Sequence, residues 1–390
     1  MVNDKYDVVI VGGGPAGTMA GAAAALKGAR TLVLERDSTF GIPVRCGEAV
    51  AVHQLERFFD IDEKYVASHV KGLHMHSPDG TEVPVMSSEL GLVLERTRFD
   101  RWLAEYAARS GALLRTRCEV DGLVMDNGSV KGVHFTRFGR RRKITAEVVI
   151  AADGVDSRVA RWAGIPTQLK PVDLENSYQF MIAGIDETPF YCHFFFGNDI
   201  APGGYVWIFP KGDGVANVGI GVSTKRCDGG VAYRKLKEFI AKRYGEPSVI
   251  SEAAGGVPVA KPIKKPIKDG LIVTGDAARH ANPLTGGGIY AALVGGYHAG
   301  QVAAAGVGRG DVSEVGLKDY TFRIEKDIVK PHLRAYRLKE GVFNLSDNIF
   351  NKTAHQILSL PPEKRTLRNV FLKGLASQPR LVVDIIKAFV

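Results

Sequence analysis

The sequence predicts an α/β protein in which a parallel-sheet domain is joined to an antiparallel β-sheet domain and a C-terminal helical region. The chain opens with a strand, a glycine-rich turn and a helix in βαβ order. An alternating, aromatic-rich stretch from about residue 170 to 255 predicts the antiparallel sheet. From about residue 311 the pattern is helical, with a break at Pro361-Pro362. A chain of 390 residues is long enough for two or three domains.

The first βαβ unit begins with a buried strand from Tyr6 to Val11. An alanine-rich helix follows from about Pro15 to Lys27, and Gly28 ends it. A second strand runs from Thr31 to Leu34. This order is the framework that a dinucleotide-binding turn requires.

The turn of this unit is the glycine-rich run Gly12–Gly17. Gly12 permits the tight turn, Gly14 lets the backbone approach a pyrophosphate, and Gly17 allows close packing of helix on strand. The helix N-terminus offers N–H donors to the phosphates. Glu35 ends the second strand, where its carboxylate can accept hydrogen bonds from the adenosine ribose. The unit therefore predicts dinucleotide binding.

The following elements are less regular. The sequence predicts a loop running into a helix at 41–60, short strands at 70–85 and a helix at 96–110. It then predicts a strand meander at 113–146 and a buried strand at 148–152. Later in the chain it predicts strands at 191–196, 205–209 and 271–273, and a small-residue helix opened by Gly286 and reaching about Ala305.

Two further motifs could bind the rest of a flavin dinucleotide. The first is Ala151–Gly154, and the second is Thr274–Ala278, followed by Gly286–Gly288. A strand that ends in Gly-Asp can direct the carboxylate of Asp276 to ribityl hydroxyls. The glycine-opened helix beyond it can point its positive end at the isoalloxazine and stabilise the anion of reduced flavin.

In this order, the three motifs resemble those of the p-hydroxybenzoate-hydroxylase-like flavoproteins, which implies a Rossmann-type FAD-binding domain. Arg45 and Arg96 match two arginines that contact FAD in that superfamily, although Arg96 could also be an exposed residue at a helix start. The resemblance implies an FAD site formed by Gly12, Gly14, Ala16, Gly17, Glu35, Arg36, Arg45, Cys46, Gly47, Arg96, Val120, Asp276, Gly287, Gly288 and Ile289.

Two longer motifs resemble those of the geranylgeranyl reductase family. They are Pro43–Glu48 (PVRCGE) and Pro202–Pro210 (PGGYVWIFP), with support from Leu94–Arg96. The resemblance extends over about residues 5–310 and is nearest to the archaeal enzymes that hydrogenate the geranylgeranyl chains of ether phospholipids. It implies an FAD-dependent oxidoreductase of membrane lipid biosynthesis that acts on CH–CH groups, with flavin N5 as hydride donor.

Reduction of an isolated alkene also needs a proton on the second carbon. The resemblance places Cys46 beside the flavin ring, so Cys46 is a candidate for positioning the alkene or supplying the proton. Its thiol, with an unperturbed pKa of about 8.5, is protonated at neutral pH but is a weak acid for this task. The alternatives are a purely packing role for Cys46 and proton supply by Glu48 through a water.

Tyr205, Trp207 and Phe209 alternate along one predicted strand and therefore point to one face. Such a face could be the wall of a site for a prenyl chain, or simply the core of a sheet. A wall without a cavity would support only the second interpretation.

Composition narrows the other properties. The chain is 45% hydrophobic and 24% charged, and its mean hydropathy of −0.02 is typical of a soluble globular protein. No apolar run is long enough to span a bilayer. Val8 to Val11 leads directly into the glycine turn, so we expect no signal peptide and a cytoplasmic location. Four scattered cysteines predict neither a disulfide framework nor a metal site.

The formal net charge of +9 could favour nucleic acid, an anionic membrane surface, a phosphorylated substrate or an acidic partner. No nucleic-acid motif is present, so nucleic acid is not an expected partner. The basic runs Arg140–Lys143 and Lys261–Lys268 are expected in solvated loops between strands. Peripheral contact with the inner face of the membrane remains open.

The electron donor is also open. Only one dinucleotide fingerprint occurs, because Gly306–Gly310 does not follow a strand. A resident NADPH domain is therefore not predicted. Transient docking of NAD(P)H and a ferredoxin-like protein, as the family resemblance suggests, both fit, and the positive charge favours an acidic donor protein.

The predicted domains are discontinuous. Residues 1–70, 96–165 and 262–310 form the FAD-binding domain, residues 71–95 and 166–261 the substrate-binding β domain, and residues 311–390 the C-terminal helical region. In the last, Leu367–Leu375 and Leu381–Val390 carry scattered basic residues and could act as a lid, pack on the protein or lie on a membrane.

Two other functions fit the same motifs. One is an FAD-dependent monooxygenase or halogenase of the same fold. The other is a non-catalytic flavoprotein that binds prenyl lipids. Cys46–Glu48 and Tyr205–Phe209 favour the reductase over the first, and the complete set of FAD motifs counts against the second.

Overall fold

The computed structural model describes residues 5–376 and 385–386, without the side chains of residues 86–90. It contains two compact units. The first unit comprises residues 1–43, 97–169 and 260–333, and the second comprises residues 44–96, 170–259 and 334–390.

The strands, in chain order, are β1 (Lys5–Val11), β2 (Thr31–Leu34), β3 (Ala49–Ala51), β4 (Val66–His76), β5 (Glu82–Leu94), β6 (Leu113–Arg115), β7 (Glu119–Asp126), β8 (Ser129–Arg137), β9 (Arg140–Ala151), β10 (Leu174–Ala183), β11 (Tyr191–Phe195), β12 (Tyr205–Gly212), β13 (Val215–Ser223), β14 (Ser248–Pro258), β15 (Ile267–Lys268) and β16 (Leu271–Val273). The helices are α1 (Pro15–Leu26), α2 (Val52–Glu56), α3 (Arg96–Arg109), α4 (Arg158–Trp162), α5 (Val231–Tyr244), α6 (Ile289–Arg309), α7 (Glu314–Leu317), α8 (Asp319–Ile324), α9 (Lys330–Val342), α10 (Asp347–Leu358) and α11 (Leu367–Gly374).

The sheet of the first unit has the strand order β15-β16-β9-β1-β2-β6, and β7 and β8 continue from β9 as an antiparallel meander. From β16 to β6 neighbouring strands are parallel. The central strands are buried apolar runs because helices cover a parallel sheet on its faces. The predicted parallel sheet is confirmed.

Helices α1 and α6 pack very closely because glycines replace side chains at their contact. A Cβ on Gly296 would lie 2.2 Å from the carbonyl oxygen of Ala16, and one on Gly300 would lie 2.2 Å from that of Ala20. Since α1 begins at the glycine-rich turn, this packing fixes the helix that presents the turn.

The sheet of the second unit has the strand order β14-β10-β13-β12-β11-β4-β5-β3. Its pairings are antiparallel except that of β11 with β4, which is parallel. The sheet is therefore mixed, whereas the sequence predicted an antiparallel one. The parallel pair arises because the chain leaves β5 for the first unit and returns through β10 before β11 is added beside β4.

Several boundaries differ from the sequence predictions. Residues 44–70, expected in the FAD-binding domain, fall in the second unit because β3 and β4 pair with β5. The C-terminal region is divided at residue 333. The basic run Arg140–Lys143 is the exposed start of β9, which continues without a break to Ala151. Helix α6 begins at Ile289, because Gly286 lies in a turn that the backbone of Asn282 closes.

Helix α5 lies within the stretch predicted to be sheet. It buries Ala232, Leu236 and Ile240, whose spacing of four residues is that of one helix face, in the core formed by β10, β12 and β13. The aromatic alternation on either side of this stretch obscured that period.

Candidate flavin and substrate sites

The glycine-rich turn of the first unit has the conformation that a pyrophosphate site needs. Gly12 has a φ of +104°, and a Cβ there would lie 2.3 Å from the carbonyl oxygen of Ala152. A Cβ on Gly17 would lie 1.9 Å from the carbonyl oxygen of Gly12, so only glycine permits this contact. A Cβ on Gly14 would meet nothing within 4 Å, which leaves the N-terminus of α1 open to a ligand.

Glu35 lies beside this turn. Its carboxylate accepts hydrogen bonds from the backbone N–H of Gly13 (2.6 Å) and of Asp37 (2.8 Å). Ala16 is buried on α1, and Arg36 is exposed with its guanidinium 3.9 Å from Asp37. The backbone of Gly13, within the predicted turn, and that of Asp37, which sequence reasoning did not include, thus hold the predicted ribose acceptor.

The second and third motifs are joined by hydrogen bonds. Ser157 Oγ donates to the carbonyl oxygen of Ala277 at 3.0 Å, and the Asp153 carboxylate accepts from the N–H of Val159 at 2.9 Å. Burial raises the pKa of Asp153. The segment that follows the Asp-Gly motif therefore holds the turn that carries Asp276 through the Ser157–Ala277 hydrogen bond.

Asp276 and the N-terminus of α6 lie together. A Cβ on Gly288 would lie 3.4 Å from Asp276 Oδ1, so a side chain at that position would crowd the carboxylate. Gly287 precedes it, and Ile289 is buried as the first residue of α6. Val120, the other predicted contact of this unit, is buried on β7.

Two buried histidines lie behind this motif. Burial lowers the pKa of His280 to about 3, with a further contribution from His332, and burial lowers that of His332 to about 4. A Cβ on Gly295 would lie 2.7 Å from His280 Nδ1 and 2.6 Å from Thr274 Oγ1. Both histidines are therefore neutral packing residues at physiological pH.

In the second unit, Cys46 and Glu48 lie in a strained turn. Glu48 has a φ of +79°, and its N–H donates to the Cys46 sulfur at 3.2 Å. Burial raises the pKa of the Cys46 thiol, while the nearby Arg96 guanidinium acts in the opposite direction. The thiol is therefore protonated at neutral pH.

The Glu48 carboxylate is almost fully buried and fully engaged. One oxygen accepts from the N–H of Arg96 at 2.9 Å. The other accepts from Lys211 Nζ at 2.6 Å and from Asn217 Nδ2 at 2.5 Å. Lys211 also contacts Glu95 at 2.9 Å. This geometry suits an ionised carboxylate that fixes the turn, and it differs from the predicted proton supply through a water.

The predicted aromatic residues lie on one face of β12. The ring centroids of Tyr205 and Trp207 are 6.0 Å apart, and those of Trp207 and Phe209 are 6.2 Å apart. A Cβ on Gly219 would lie 2.1 Å from the Trp207 ring, so the indole lies flat on β13. Tyr205 is half-buried, and the other two are buried. We call these three residues the aromatic stripe.

The turn and the aromatic stripe are in contact. A Cβ on Gly47 would lie 2.8 Å from the Phe209 ring and 3.3 Å from Trp207 Nε1. Gln179 accepts from that Nε1 at 3.0 Å and donates to the Cys46 carbonyl oxygen at 3.0 Å. Arg45 lies near Gly255 on β14.

Sequence reasoning missed Gln179, Lys211 and Asn217, which join these elements. Lys211 follows the aromatic motif directly. A lysine at the end of an apolar strand was the signal in the sequence that could have indicated a buried ion pair.

A small apolar cavity of about 50 Å³ lies near the aromatic stripe, and its described lining contains none of the three stripe residues. Phe196 forms part of its lining, and the Phe196 and Tyr205 rings are 6.0 Å apart. Helices α10 and α11 close it, and residues Leu367 and Val370 of α11 pack with Val83 of β5. The remainder of the predicted C-terminal surface, residues 377–384 and 387–390, lies outside the described residues.

The residues of the first unit fit FAD. The turn at Gly12–Gly17 leaves room that a Cβ would fill, and an acidic side chain follows each of two parallel strands, Glu35 after β2 and Asp276 after β16. Among the described residues, no group of acidic, histidine or cysteine side chains could hold a metal ion. No helix in the described ranges is both long and apolar enough to cross a membrane.

Comparison with known proteins agrees with this geometry. The family described as "FAD binding domain" matches residues 5–189, and the family described as "Geranylgeranyl reductase catalytic domain" matches residues 173–257. A digeranylgeranylglycerophospholipid reductase of Methanothrix thermoacetophila is 44% identical over 98% of both chains.

Solved structures show the same fold. A geranylgeranyl bacteriochlorophyll reductase-like protein of Thermoplasma acidophilum superposes with a TM-score of 0.92 and 34% identity over 99% of both chains. A triple mutant of a flavin-dependent brominase reaches a TM-score of 0.74 at 18% identity, covering 98% of this chain and 99% of that one, which shows the fold alone. The predicted α/β fold, cofactor and family resemblance are confirmed, and the chain is an FAD-dependent oxidoreductase that belongs to the geranylgeranyl reductase family.

Proposed function

We propose that this protein saturates the double bonds of geranylgeranyl chains carried by an archaeal-type ether phospholipid. The observation that carries the proposal is the aromatic stripe with the Cys46–Glu48 turn packed against it. The name of the Methanothrix relative supports the substrate class. FAD, when bound and reduced, supplies two electrons and one hydrogen to the alkene through flavin N5.

The aromatic stripe and the apolar cavity beside it suit a prenyl chain. Extraction of a twenty-carbon chain from a bilayer forfeits roughly 0.8 kcal/mol per CH₂, or more than about 10 kcal/mol in total. Apolar burial must offset this loss. Tyr205, Trp207 and Phe209 share an apolar face that packs in a core cluster, and other residues line the small cavity near it. We propose that a prenyl chain binds along this face by displacing part of that packing.

Cys46 and Glu48 have different proposed roles. Cys46 presents a protonated thiol that can contact the reacting part of the chain and orient it. Glu48 is a positioning residue, because its carboxylate is held by Lys211, Asn217 and the backbone of Arg96.

The FAD contacts also remain proposals residue by residue. In the first unit, Gly12–Gly17 would hold the pyrophosphate, Glu35 the ribose, and Asp276 with Gly287–Ile289 the ribityl and ring end. Arg36 and the backbone of Val120 are further candidates. Arg45, Cys46, Gly47 and Arg96, which belong to the second unit, complete the proposed set.

For the electron donor we propose an acidic, ferredoxin-like protein, with NAD(P)H as the alternative. The net charge of +9 supports the first, because opposite charge accelerates encounter. The same charge supports a peripheral position on the inner, anionic face of the membrane, where the lipid substrate lies.

The decisive experiment uses the purified flavoprotein under anaerobic conditions. After reduction with dithionite, a phospholipid with geranylgeranyl chains is added, and the flavin spectrum and the lipid mass are followed together. We expect the lipid to gain two hydrogens per step while the flavin reoxidises.

Other outcomes would identify the alternatives. A reduced flavin that ignores the lipid but forms an oxygenated adduct in air would indicate a monooxygenase or halogenase. Tight lipid binding without any change in lipid mass, with or without a flavin that can be bleached, would indicate a binding protein.

A further inference from the structure

Glu175 lies on the same face of the sheet as the aromatic stripe. It belongs to β10, where Glu175, Ser177 and Gln179 alternate, and Gln179 bonds the indole of Trp207. Gly221 of β13 stands between the two strands and pairs with both Tyr205 and Ser177. A Cβ on Gly221 would lie 3.2 Å from Glu175 Oε2 and 3.9 Å from the Trp207 ring, so the Glu175 carboxyl packs closely over Gly221, beside the edge of the indole.

The carboxyl group of Glu175 has few partners. Its residue is only 7% exposed, and within the described part of the chain its side chain accepts no hydrogen bond. Among the described titratable groups, Lys339 acts on the charge of Glu175, and Glu175 in turn raises the pKa of Tyr205 in addition to the effect of burial. Burial raises the pKa of Glu175 to about 7, against the smaller opposing effect of Lys339. A carboxyl in such a site is half protonated near neutral pH.

We propose that Glu175 is the catalytic acid that protonates the alkene. The proposal rests on the proposed function, because the prenyl chain must lie along the aromatic stripe for Glu175 to reach it. FAD, when bound and reduced, would supply the hydride that adds to one carbon. The O–H bond of Glu175 breaks as a C–H bond forms on the other carbon, and the C=C π bond is lost.

Glu175 suits this role better than Cys46 and Glu48, the two other candidates near the aromatic stripe. The Cys46 thiol has a pKa raised by burial, so it is a weaker acid than a carboxylic acid. Both oxygens of Glu48 are engaged with Lys211, Asn217 and the backbone of Arg96, which leaves no proton to donate.

Lys339 is a nearly buried cation whose charge acts on Glu175. Its side chain is 3% exposed, and Nζ donates to the Val259 carbonyl oxygen at 2.8 Å and lies 3.5 Å from the half-exposed Glu340. The positive charge of Lys339 lowers the pKa of Glu175. It also stabilises the carboxylate that Glu175 becomes after it gives up its proton.

The test compares wild type, Glu175→Gln and Glu252→Gln as reduced holoenzymes in anaerobic single turnovers with geranylgeranyl phospholipid. Glu252 lies on the adjacent strand β14 of the same sheet but is exposed, so its substitution is the matched control. We expect Glu175→Gln to slow lipid reduction by about 100-fold or more, since general acids contribute that much. FAD content, reduction by dithionite and lipid affinity should stay within about twofold of wild type.

A second readout does not depend on turnover. Infrared difference spectra across a pH titration should show a protonated carboxyl band that disappears near pH 7 in wild type and is absent in Glu175→Gln. The wild-type rate should fall as pH rises through the same range. Glu175→Asp keeps the carboxyl group on a shorter side chain, so it should retain this pH dependence at a lower rate. This variant replaces Glu175→Gln as the test if the Gln variant does not fold.

The outcomes separate this proposal from the proposed function. If the wild type reduces the lipid and Glu175→Gln is equally active, the role of Glu175 is overturned and the proposed function stands. A loss of lipid affinity that accounts for the whole loss of rate would also overturn it. Failure of the wild type to reduce any prenyl lipid would overturn both.

Discussion

At the scale of single residues, adjacent positions have very different environments. The Cys46 thiol is neutral, whereas Glu48, two residues on, has a buried carboxylate paired with Lys211. The difference arises because the positive φ of Glu48 turns its side chain toward β12 and β13. Residues of one short motif can therefore differ in charge and in the partners that hold them.

The first residue-scale prediction concerns Cys46. Cys46→Ala should lower the rate of lipid reduction by roughly 10-fold or more, because a misplaced chain reacts slowly. Its FAD content and its reduction by dithionite should be unchanged. Cys227→Ala, which removes another half-buried thiol, is the control. Unchanged turnover in Cys46→Ala would remove this residue from the mechanism.

The second prediction concerns the buried ion pair. Lys211→Met leaves the Glu48 carboxylate buried without its cation and should cost about 3–5 kcal/mol in the free energy of unfolding. Urea unfolding measures this. The double variant Glu48→Gln/Lys211→Met should recover at least about 1 kcal/mol of the loss.

The matched control is Lys5→Met, which removes an exposed ion pair with Glu147 and should change stability by less than about 1 kcal/mol. Equal effects of the buried and exposed substitutions would show that Lys211 does not act through burial.

The third prediction concerns acid stability. His280 and His332 have folded-state pKa values lowered to about 3 and about 4, so the unfolded chain binds protons more readily below pH 6.5. Their stabilising contribution is complete above pH 6.5 and is lost as pH falls. At pH 4 the loss should be about 3 kcal/mol for each histidine.

Thermal unfolding between pH 7 and 4 checks this, with the double variant His280→Gln/His332→Gln as reference. A pH dependence that is the same in the variant and in wild type would contradict it.

At the scale of elements, close helix packing determines where the glycine-rich turn stands. The contact between α1 and α6 depends on glycines of α6 that admit the α1 backbone, and both helices begin at proposed FAD-binding positions. Helix α5 could have been predicted from local sequence, because its apolar residues recur at helical spacing. The aromatic strands on either side of it obscured this period.

The element-scale prediction compares two glycines of α6. Gly300→Ala places a Cβ against the Ala20 carbonyl oxygen and should destabilise the protein by about 1–3 kcal/mol. Gly308→Ala points into open space and should stabilise it by up to about 1 kcal/mol, since alanine favours helix. Melting temperatures and FAD retention report both effects. Similar effects of the two substitutions would mean that the helix contact is looser than described.

At the scale of the whole molecule, the excess of positive charge affects how fast the protein meets charged partners, and it does not determine the fold. It bears on the proposed acidic donor and on the proposed membrane contact.

The prediction at this scale is a strong salt dependence of reduction by a ferredoxin. Between about 20 and 500 mM salt, the rate of FAD reduction should fall by roughly 10-fold or more, because added ions screen the attraction. Reduction by dithionite is the control and should change little. A rate that does not respond to salt would argue against electrostatic recognition of the donor.

The sequence by itself determined the βαβ unit, the glycine-rich turn with Glu35, and the common face of Tyr205, Trp207 and Phe209. These features follow from local periodicity, since the periods of helix and strand decide which side chains share a face. Only the tertiary structure decided that Glu48 meets Lys211 and Asn217, which lie 163 and 169 residues further along the chain. It also brought Glu175 to the aromatic stripe. Strand order and register determine such contacts between residues that are distant in the chain, and no local sequence pattern encodes them.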